Sequence, residues 1–368
     1  MIEGFATPEG TSAYARRQAR ATPEHFHDFD GCRVSSVGIG TYLGSDDAAT
    51  DAGYRDAVVR AVASGINVID TAINYRNQRS ERAIGEALAA SISTGGLRRE
   101  EVVVATKGGF VPFDGAVPAD PPRYIAETYV RPGLLDPADL VGGSHCMTPR
   151  YLMDQLDRSR KNLGLATIDI YYVHNPEMQL GEIDRPRFMN RIRAAFAALE
   201  DAVATGKIRQ YGTATWTGYR QPPSARDHLS LVDLVRAARD VGGADHHFGV
   251  IQLPYNLAMP DAFTGHTQAV DNESLAPLQA ANKLGLRVMA SASVYQGQLT
   301  RNLPAAVREL LPGLQTDAQR ALQFVRSTPG ITSALVGMKS TTHVAENVGV
   351  AAVPPLPWEQ FKRFFKEA

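Results

Sequence analysis

The sequence predicts an α/β fold: a (β/α)8 TIM barrel with an N-terminal hairpin plug and long top-face loops. Three observations carry that expectation. Short apolar runs rich in β-branched residues occur eight times, stretches with helical periodicity fit between them, and ionisable residues end three neighbouring runs.

The strand runs are Val34–Gly40, Ile66–Thr71, Val102–Lys107, Thr167–His174, Gln210–Thr215, Gly249–Pro254, Arg287–Ala292 and Ile331–Gly337. Between them, Tyr54, Val58 and Val62 share one helical face, and Leu152, Leu156 and Leu163 share another. Ser80 followed by Glu81 reads as an N-cap with an acid in the first turn, and Thr148-Pro149 as a second helix start. Gly65 and Gly206 fall where helices should end. His25–Phe29, then Asp30-Gly31 and the first strand, suggest a tight hairpin plugging the barrel bottom. Residues 1–24 read as an N-terminal arm, and 25–368 as one barrel domain. Trp358–Lys366 reads as a C-terminal amphipathic helix, its Phe364-Phe365 pair covering either the barrel or a partner.

The longest connection joins the third and fourth runs. It holds Gly108–Cys146, rich in Pro and Gly, and a loop this long in a compact fold is usually functional or disordered. Because it follows a strand, it lies on the face where barrels build their sites. Its Phe110, Phe113, Tyr124 and Tyr129 form either a pocket wall or a cluster packed on itself.

Composition narrows the function. The formal net charge is −1, so nothing pulls the chain toward nucleic acid or anionic membrane. No apolar run approaches the roughly 18 residues that span a bilayer. The N-terminus lacks the basic and apolar regions of a secretory signal. The two cysteines, Cys32 and Cys146, make neither a disulfide framework nor a metal spacing, and they read as inert. The expectation is a cytoplasmic protein without a metal, a monomer or small homo-oligomer. Arg16-Arg17 reads as solvated surface.

Asp70 ends the second strand, Lys107 the third and His174 the fourth, while Tyr75 lies on the loop after Asp70. In a parallel barrel these converge on the C-terminal face. Singly, Asp70 reads as a turn or cap residue, Lys107 as a solvated charge, Tyr75 as packing and His174 as a structural histidine. Together they make a specific chemistry. An ammonium beside a phenol stabilises the phenolate and lowers its pKa, an aspartate keeps that ammonium charged, and a histidine orients a carbonyl. The set is a proton donor for a carbonyl becoming an alkoxide.

Asp70–Tyr75 (DTAINY), Ser80–Leu88 (SERAIGEAL), Ala105-Thr106-Lys107 and Tyr172–Pro176 (YVHNP) resemble the motifs of the aldo-keto reductase family. Gly206–Gly212 (GKIRQYG), Gln252–Asn256 (QLPYN) and Glu346-Asn347 extend the resemblance, which covers about residues 30 to 350. It implies a (β/α)8 barrel, NAD(P)H, and reversible hydride transfer between carbonyl and alcohol. By position, Tyr75 is the general acid/base, Asp70 and Lys107 tune it, and His174 orients the carbonyl.

The resemblance also implies a cofactor site. Gly40, Thr41 and Tyr42 should touch cofactor and substrate, with Asp70 below them, and Gln252 should bond the nicotinamide carboxamide. Where the family usually places Ser-Asn, this chain offers Thr215, with one hydroxyl. Where many members stack an aromatic ring, it reads Ala290-Ser291-Ala292-Ser293, leaving Tyr295 as the only substitute nearby. Ser291 joins the site, as do Gly297 and Gln298 in the pyrophosphate-facing loop. Gly337, Lys339, Ser340, His343, Glu346 and Asn347 make the adenosine end. Lys339, Ser340 and a helix N-terminus suit a 2′-phosphate. The family's NADPH-selective arginine would fall at His343, a weaker ligand. NADP(H) is favoured and NAD(H) remains possible. Tyr42, Phe110 and Trp216 are the candidate substrate-pocket residues, with Trp216 equally readable as packing. Beside a reductase of small aldehydes, ketones or sugars stand a sugar dehydrogenase and a cofactor-binding regulatory subunit, like the potassium-channel β subunits that resemble this family.

Overall fold

A computed structural model describes residues 1–365. A first helix, α1 (Pro8–Arg16), precedes the hairpin β1 (Phe26–Phe29) and β2 (Cys32–Ser35). The barrel then runs β3 (Val37–Gly40), α2 (Ala48–Ala63), β4 (Val68–Asp70), α3 (Arg79–Ser93) and β5 (Val103–Gly108). After an insertion carrying α4 (Pro121–Ile125) come α5 (Pro149–Leu163), β6 (Ile168–His174), α6 (Arg185–Ala204), β7 (Ile208–Ala214), α7 (Leu231–Gly242) and β8 (Phe248–Pro254). A short helix α8 (Asp261–Thr264) and a small hairpin, β9 (Gln268–Val270) and β10 (Glu273–Leu275), interrupt the alternation. It resumes with α9 (Pro277–Lys283), β11 (Arg287–Ser291), α10 (Ala305–Leu310), α11 (Asp317–Arg326), β12 (Ser333–Gly337) and α12 (Thr341–Val348).

Eight parallel strands close in the order β3-β4-β5-β6-β7-β8-β11-β12, with β12 returning to β3 at Gly337↔Gly40. This is the (β/α)8 barrel. Val58, Val62, Leu152, Leu156 and Leu163 face the buried layer between helices and strands, and Tyr54, also buried, donates its hydroxyl to the Leu43 carbonyl. Inward-pointing Val68, Val103, Ala105, Ile170, Tyr172, Val250, Met289 and Leu335 fill the barrel itself. Phe29 and Val34 of the hairpin belong to the same cluster, so the plug seals the bottom.

Some details differ from the sequence reading. The first run splits at Ser36: Val34 pairs with His27 in the hairpin, and only Val37 onward joins the barrel. Ser80 is not a cap. Gln78, in left-handed backbone (φ 73°), precedes α3, and the Ser80 hydroxyl donates to the Thr41 carbonyl at 2.7 Å. The N-terminal segment carries α1, and its Tyr14 is buried with its hydroxyl on the Val62 carbonyl at 2.6 Å. Arg17 is exposed, as expected, and its guanidinium also pairs with buried Glu101 at 2.5 Å. At the C-terminus, Trp358–Phe361 is helical and Lys362–Phe365 continues as a 3-10 turn; Lys366 lies outside the described residues. Phe364 packs on Phe324 and Phe365 on Phe263, both at 5.1 Å between ring centres, so the pair covers its own barrel. No helix among the described residues is long and apolar enough to cross a membrane.

Candidate active site

The strand ends deliver the site. Asp70 closes β4 and Lys107 stands one residue from the end of β5, on adjacent strands. The Lys107 ammonium is fully buried and uses its three donors on three acceptors: Asp70 Oδ2 at 2.7 Å, the Thr71 carbonyl at 2.8 Å and the Tyr75 hydroxyl at 3.4 Å. Gln252 reaches from β8 and donates its amide to Asp70 Oδ1 at 2.7 Å, so each carboxylate oxygen is held. His174, ending β6, sets its ring 5.8 Å from the Tyr75 ring in an edge-on contact. Tyr42 meets the other side of Tyr75 at 5.0 Å.

The turn after Tyr75 is conformationally costly. Arg76, Asn77 and Gln78 all sit in left-handed backbone, with φ of 49°, 51° and 73°. Side chains hold it there. Arg76 donates to the Ser45 and Asp47 carbonyls and pairs with Asp51, and Gln78 donates to the Phe113 carbonyl. Strain concentrated beside a reacting group, and locked by its surroundings, is a recurrent property of functional sites.

Electrostatics refine the sequence reading of Tyr75. Burial raises its phenol above the usual range; Lys107 pulls back down, Asp70 pushes up, and the net direction is upward. The phenol is therefore held protonated. Burial pushes His174 well below its usual value and the Lys107 charge adds to it, so the imidazole is neutral. Burial alone would lower Lys107, but Asp70 and Tyr75 outweigh it and the ammonium is held above its ordinary range.

These groups open onto a cavity of about 800 Å³. Gly40, Thr41, Tyr42, Asp70, Thr215, Gln252, Ser291, Gly297, Gly337, Lys339, His343, Glu346 and Asn347 line it, together with Tyr75, His174, Phe110 and Trp216. Three expected residues do not. Lys107 lies behind the wall, Gln298 is exposed outside it with Gln296 lining instead, and Ser340 caps α12 by accepting from the His343 amide at 3.3 Å. Tyr295 is also outside the lining. Of the loop aromatics, only Phe110 faces the cavity. Phe113, Tyr124 and Tyr129 run edge to edge into Tyr151 and pack on one another.

The sequence reading missed Leu43, Tyr54, Asn74 and Asn175 in the lining. It also missed Glu177. That buried carboxylate accepts the amides of Trp216 at 2.6 Å and Thr217 at 3.1 Å, which fixes the loop carrying the indole. The signal available was an acid three residues past His174, inside a Pro-led turn.

One end of the cavity offers an ammonium and an unpartnered acceptor. A Cβ added at Gly337 would meet nothing within 4 Å, so protein packing does not require this glycine and its bareness leaves room for a guest, whereas Gly297 at φ +89° is required by its own backbone conformation. Asn347 is buried with its side-chain oxygen unpartnered, and Lys339 stands exposed at the same end. Among the described residues no cluster of His, Cys, Asp or Glu could hold a metal ion.

A closed parallel barrel whose strand tips join a buried lysine, an aspartate, a tyrosine and a histidine beside a long cavity defines a class of cofactor-using oxidoreductase. Residues 36–366 match the model of the aldo/keto reductase family, and the chain belongs to that family. It is an NAD(P)-dependent oxidoreductase. It is 28% identical over 288 residues, 76% of its own length and 69% of the relative's, to the NADH-specific methylglyoxal reductase of Escherichia coli strain K12. It is 24% identical to a putative voltage-gated potassium channel subunit beta of Schizosaccharomyces pombe, covering 92% of this chain and 80% of that one. Among solved structures, an aldo/keto reductase from Klebsiella pneumoniae in complex with NADP and acetate shares the fold. Its TM-score is 0.61 at 20% identity, over 93% of this chain and 94% of that one.

Proposed function

We propose that the chain catalyses reversible hydride transfer between a nicotinamide cofactor and a carbonyl or alcohol substrate, an aldehyde, ketone or sugar. Tyr75 is the general acid/base in this reading. The observation that carries it is the buried Lys107 ammonium shared among Asp70, Thr71 and Tyr75 at the cavity floor. When bound, a reduced nicotinamide supplies the hydride. Gln252, Thr215 and Ser291 would hold its ring end, Gly297 the middle, and Lys339, His343, Glu346 and Asn347 the adenosine end. Neutral His174 orients the substrate carbonyl by a hydrogen bond, and Tyr75 holds the proton that the developing alkoxide takes. Lys107 compensates the charge left on the phenolate, and Asp70 keeps Lys107 ionised. Tyr42, Phe110 and Trp216 give the substrate an apolar wall.

NADP(H) is the favoured cofactor because Lys339 stands at the adenosine end; NADH use by the Escherichia coli relative supports testing both. Titration of cofactor fluorescence is expected to give tighter binding for NADPH than NADH. Lys339→Ala should weaken NADPH by about 5- to 10-fold with little effect on NADH. Tighter NADH binding in the wild type would move the reading to a sugar dehydrogenase and an alcohol screen. The likeness to channel β subunits supports a second reading, a cofactor-binding regulatory subunit. A wild type that binds cofactor but turns over neither methylglyoxal, 4-nitrobenzaldehyde nor a panel of sugars would favour it.

The titration behaviour gives a separate expectation. With Tyr75 shifted up and His174 shifted down, kcat/KM for reduction should stay flat from about pH 6 to about pH 9, where an ordinary histidine near ~6.5 would titrate. Oxidation, which needs the phenolate, should rise with pH across the same range. A reduction limb centred near neutrality would contradict the assignment.

A further inference from the structure

We propose that His145 is a positioning residue for His174, acting on the main chain at the tip of β6. The inference rests on the reading of His174 as the group that orients the carbonyl.

His145 lies at the end of the long insertion, and its ring Nε2 is 2.7 Å from the His174 carbonyl oxygen. The direction of this bond follows from a chain of partners. A guanidinium can only donate, so Arg191 on α6 donates Nη1–H to Gln179 Oε1. That turns the Gln179 amide nitrogen toward His145 Nδ1, 2.9 Å away. Nδ1 therefore accepts, the ring proton sits on Nε2, and Nε2–H donates to the His174 carbonyl. Asp139, also in the insertion, accepts from the other arm of Arg191. Burial drives the His145 imidazole down to about 4, so this neutral tautomer persists at working pH.

The surroundings are shaped to this bond. Gly109 has φ of +140°, and a Cβ there would lie 2.8 Å from His145 Nε2 and 3.0 Å from the His174 oxygen. A side chain at 109 would wedge the pair apart. Directly after His174 the chain reverses, with Asn175 in left-handed backbone at φ 43°. Phe110 then stands edge-on to both rings, 5.2 Å from His145 and 5.0 Å from His174. Nδ1 of His174 is buried without a partner, so no side-chain hydrogen bond orients the ring from that nitrogen. The insertion thus holds His174 from two sides, by its backbone through His145 and by its ring through Phe110.

The test uses the full-length protein with NADPH and 4-nitrobenzaldehyde as probe. Single-turnover oxidation of bound NADPH is followed in wild type, His145→Ala, His145→Gln and Tyr75→Phe. His145→Ala should slow the step by about 10-fold, as expected for a buried carbonyl losing its donor, with NADPH affinity unchanged within about two-fold. His145→Gln, whose amide nitrogen reaches the place of Nε2, should recover most of the rate. An unchanged rate in His145→Ala, a glutamine variant as slow as the alanine, or a loss that tracks weaker NADPH binding would each overturn the proposal. Histidine 15N spectra of the wild type supply a readout independent of turnover: a neutral Nε2–H tautomer at His145 is expected, and a charged ring or Nδ1–H tautomer would overturn it. Tyr75→Phe turning over like wild type would instead sink the reading of the site itself, whatever His145 does.

Discussion

Tyr75→Phe is expected to cut turnover by about 10²- to 10⁴-fold while leaving NADPH binding within about two-fold of wild type. The substitution removes one oxygen. That oxygen is the atom within 3.4 Å of Lys107, and the ring keeps its contacts with Tyr42 and His174. Packing survives, so the loss reports on proton transfer. Steady-state reduction and a cofactor titration on the same preparation separate the two quantities. A parallel fall in both would mean that the ring had shifted, and retained turnover would remove Tyr75 from the chemistry.

Lys107→Met should have the second large effect, and on stability as well as rate. The ammonium is fully buried and its three donors are all engaged. Methionine matches the stem but strands Asp70, a buried carboxylate then left with Gln252 alone. Breaking a buried pair from one side costs about 3–5 kcal/mol, whereas removing both charges costs far less. Lys107→Met is therefore expected to destabilise by about that amount in chemical denaturation, and Asp70→Asn combined with Lys107→Met to recover much of the stability without activity. Additive losses in the double variant would show that the two side chains are not coupled. The pH dependence has a definite sign. Lys107 is held above its ordinary range, so its contribution is fully present below about 10.4 and fades only as pH climbs through the higher folded value.

Strand rhythm made the barrel legible because a parallel sheet buried on both faces writes itself as apolar runs. Asp70, Lys107 and His174 stood out because ionisable residues at such run ends lack a packing reason. Local boundaries were less legible. Ser80 carries the composition of a cap, yet the tertiary pull of the Thr41 carbonyl overrode it. The helix within residues 8–16 was hidden because its buried residues are Gly10, Thr11 and Tyr14, only one of them large and apolar, too few to write a period. Glu177, despite its place just past His174, and His145 escaped for a different reason: each acts through main-chain atoms far along the chain, and a sequence does not display which backbone groups need a partner. Among the loop aromatics, composition alone could not separate Phe110, which faces the cavity, from three neighbours that pack on one another.

The closure of β12 onto β3 carries a consequence for how the molecule comes into being. The first barrel strand made by the ribosome finds its second neighbour only in the last. Until then one edge of β3 has no barrel partner, and such an edge is a template for wrong pairing. The N-terminal segment waits as well. The Ala6 amide bonds Asp169, 163 positions downstream, and Arg17 pairs with Glu101, 84 positions downstream. Nascent chains of this protein should therefore remain vulnerable to protease and chaperone-dependent until synthesis is nearly complete, with sealing of the barrel among the last events.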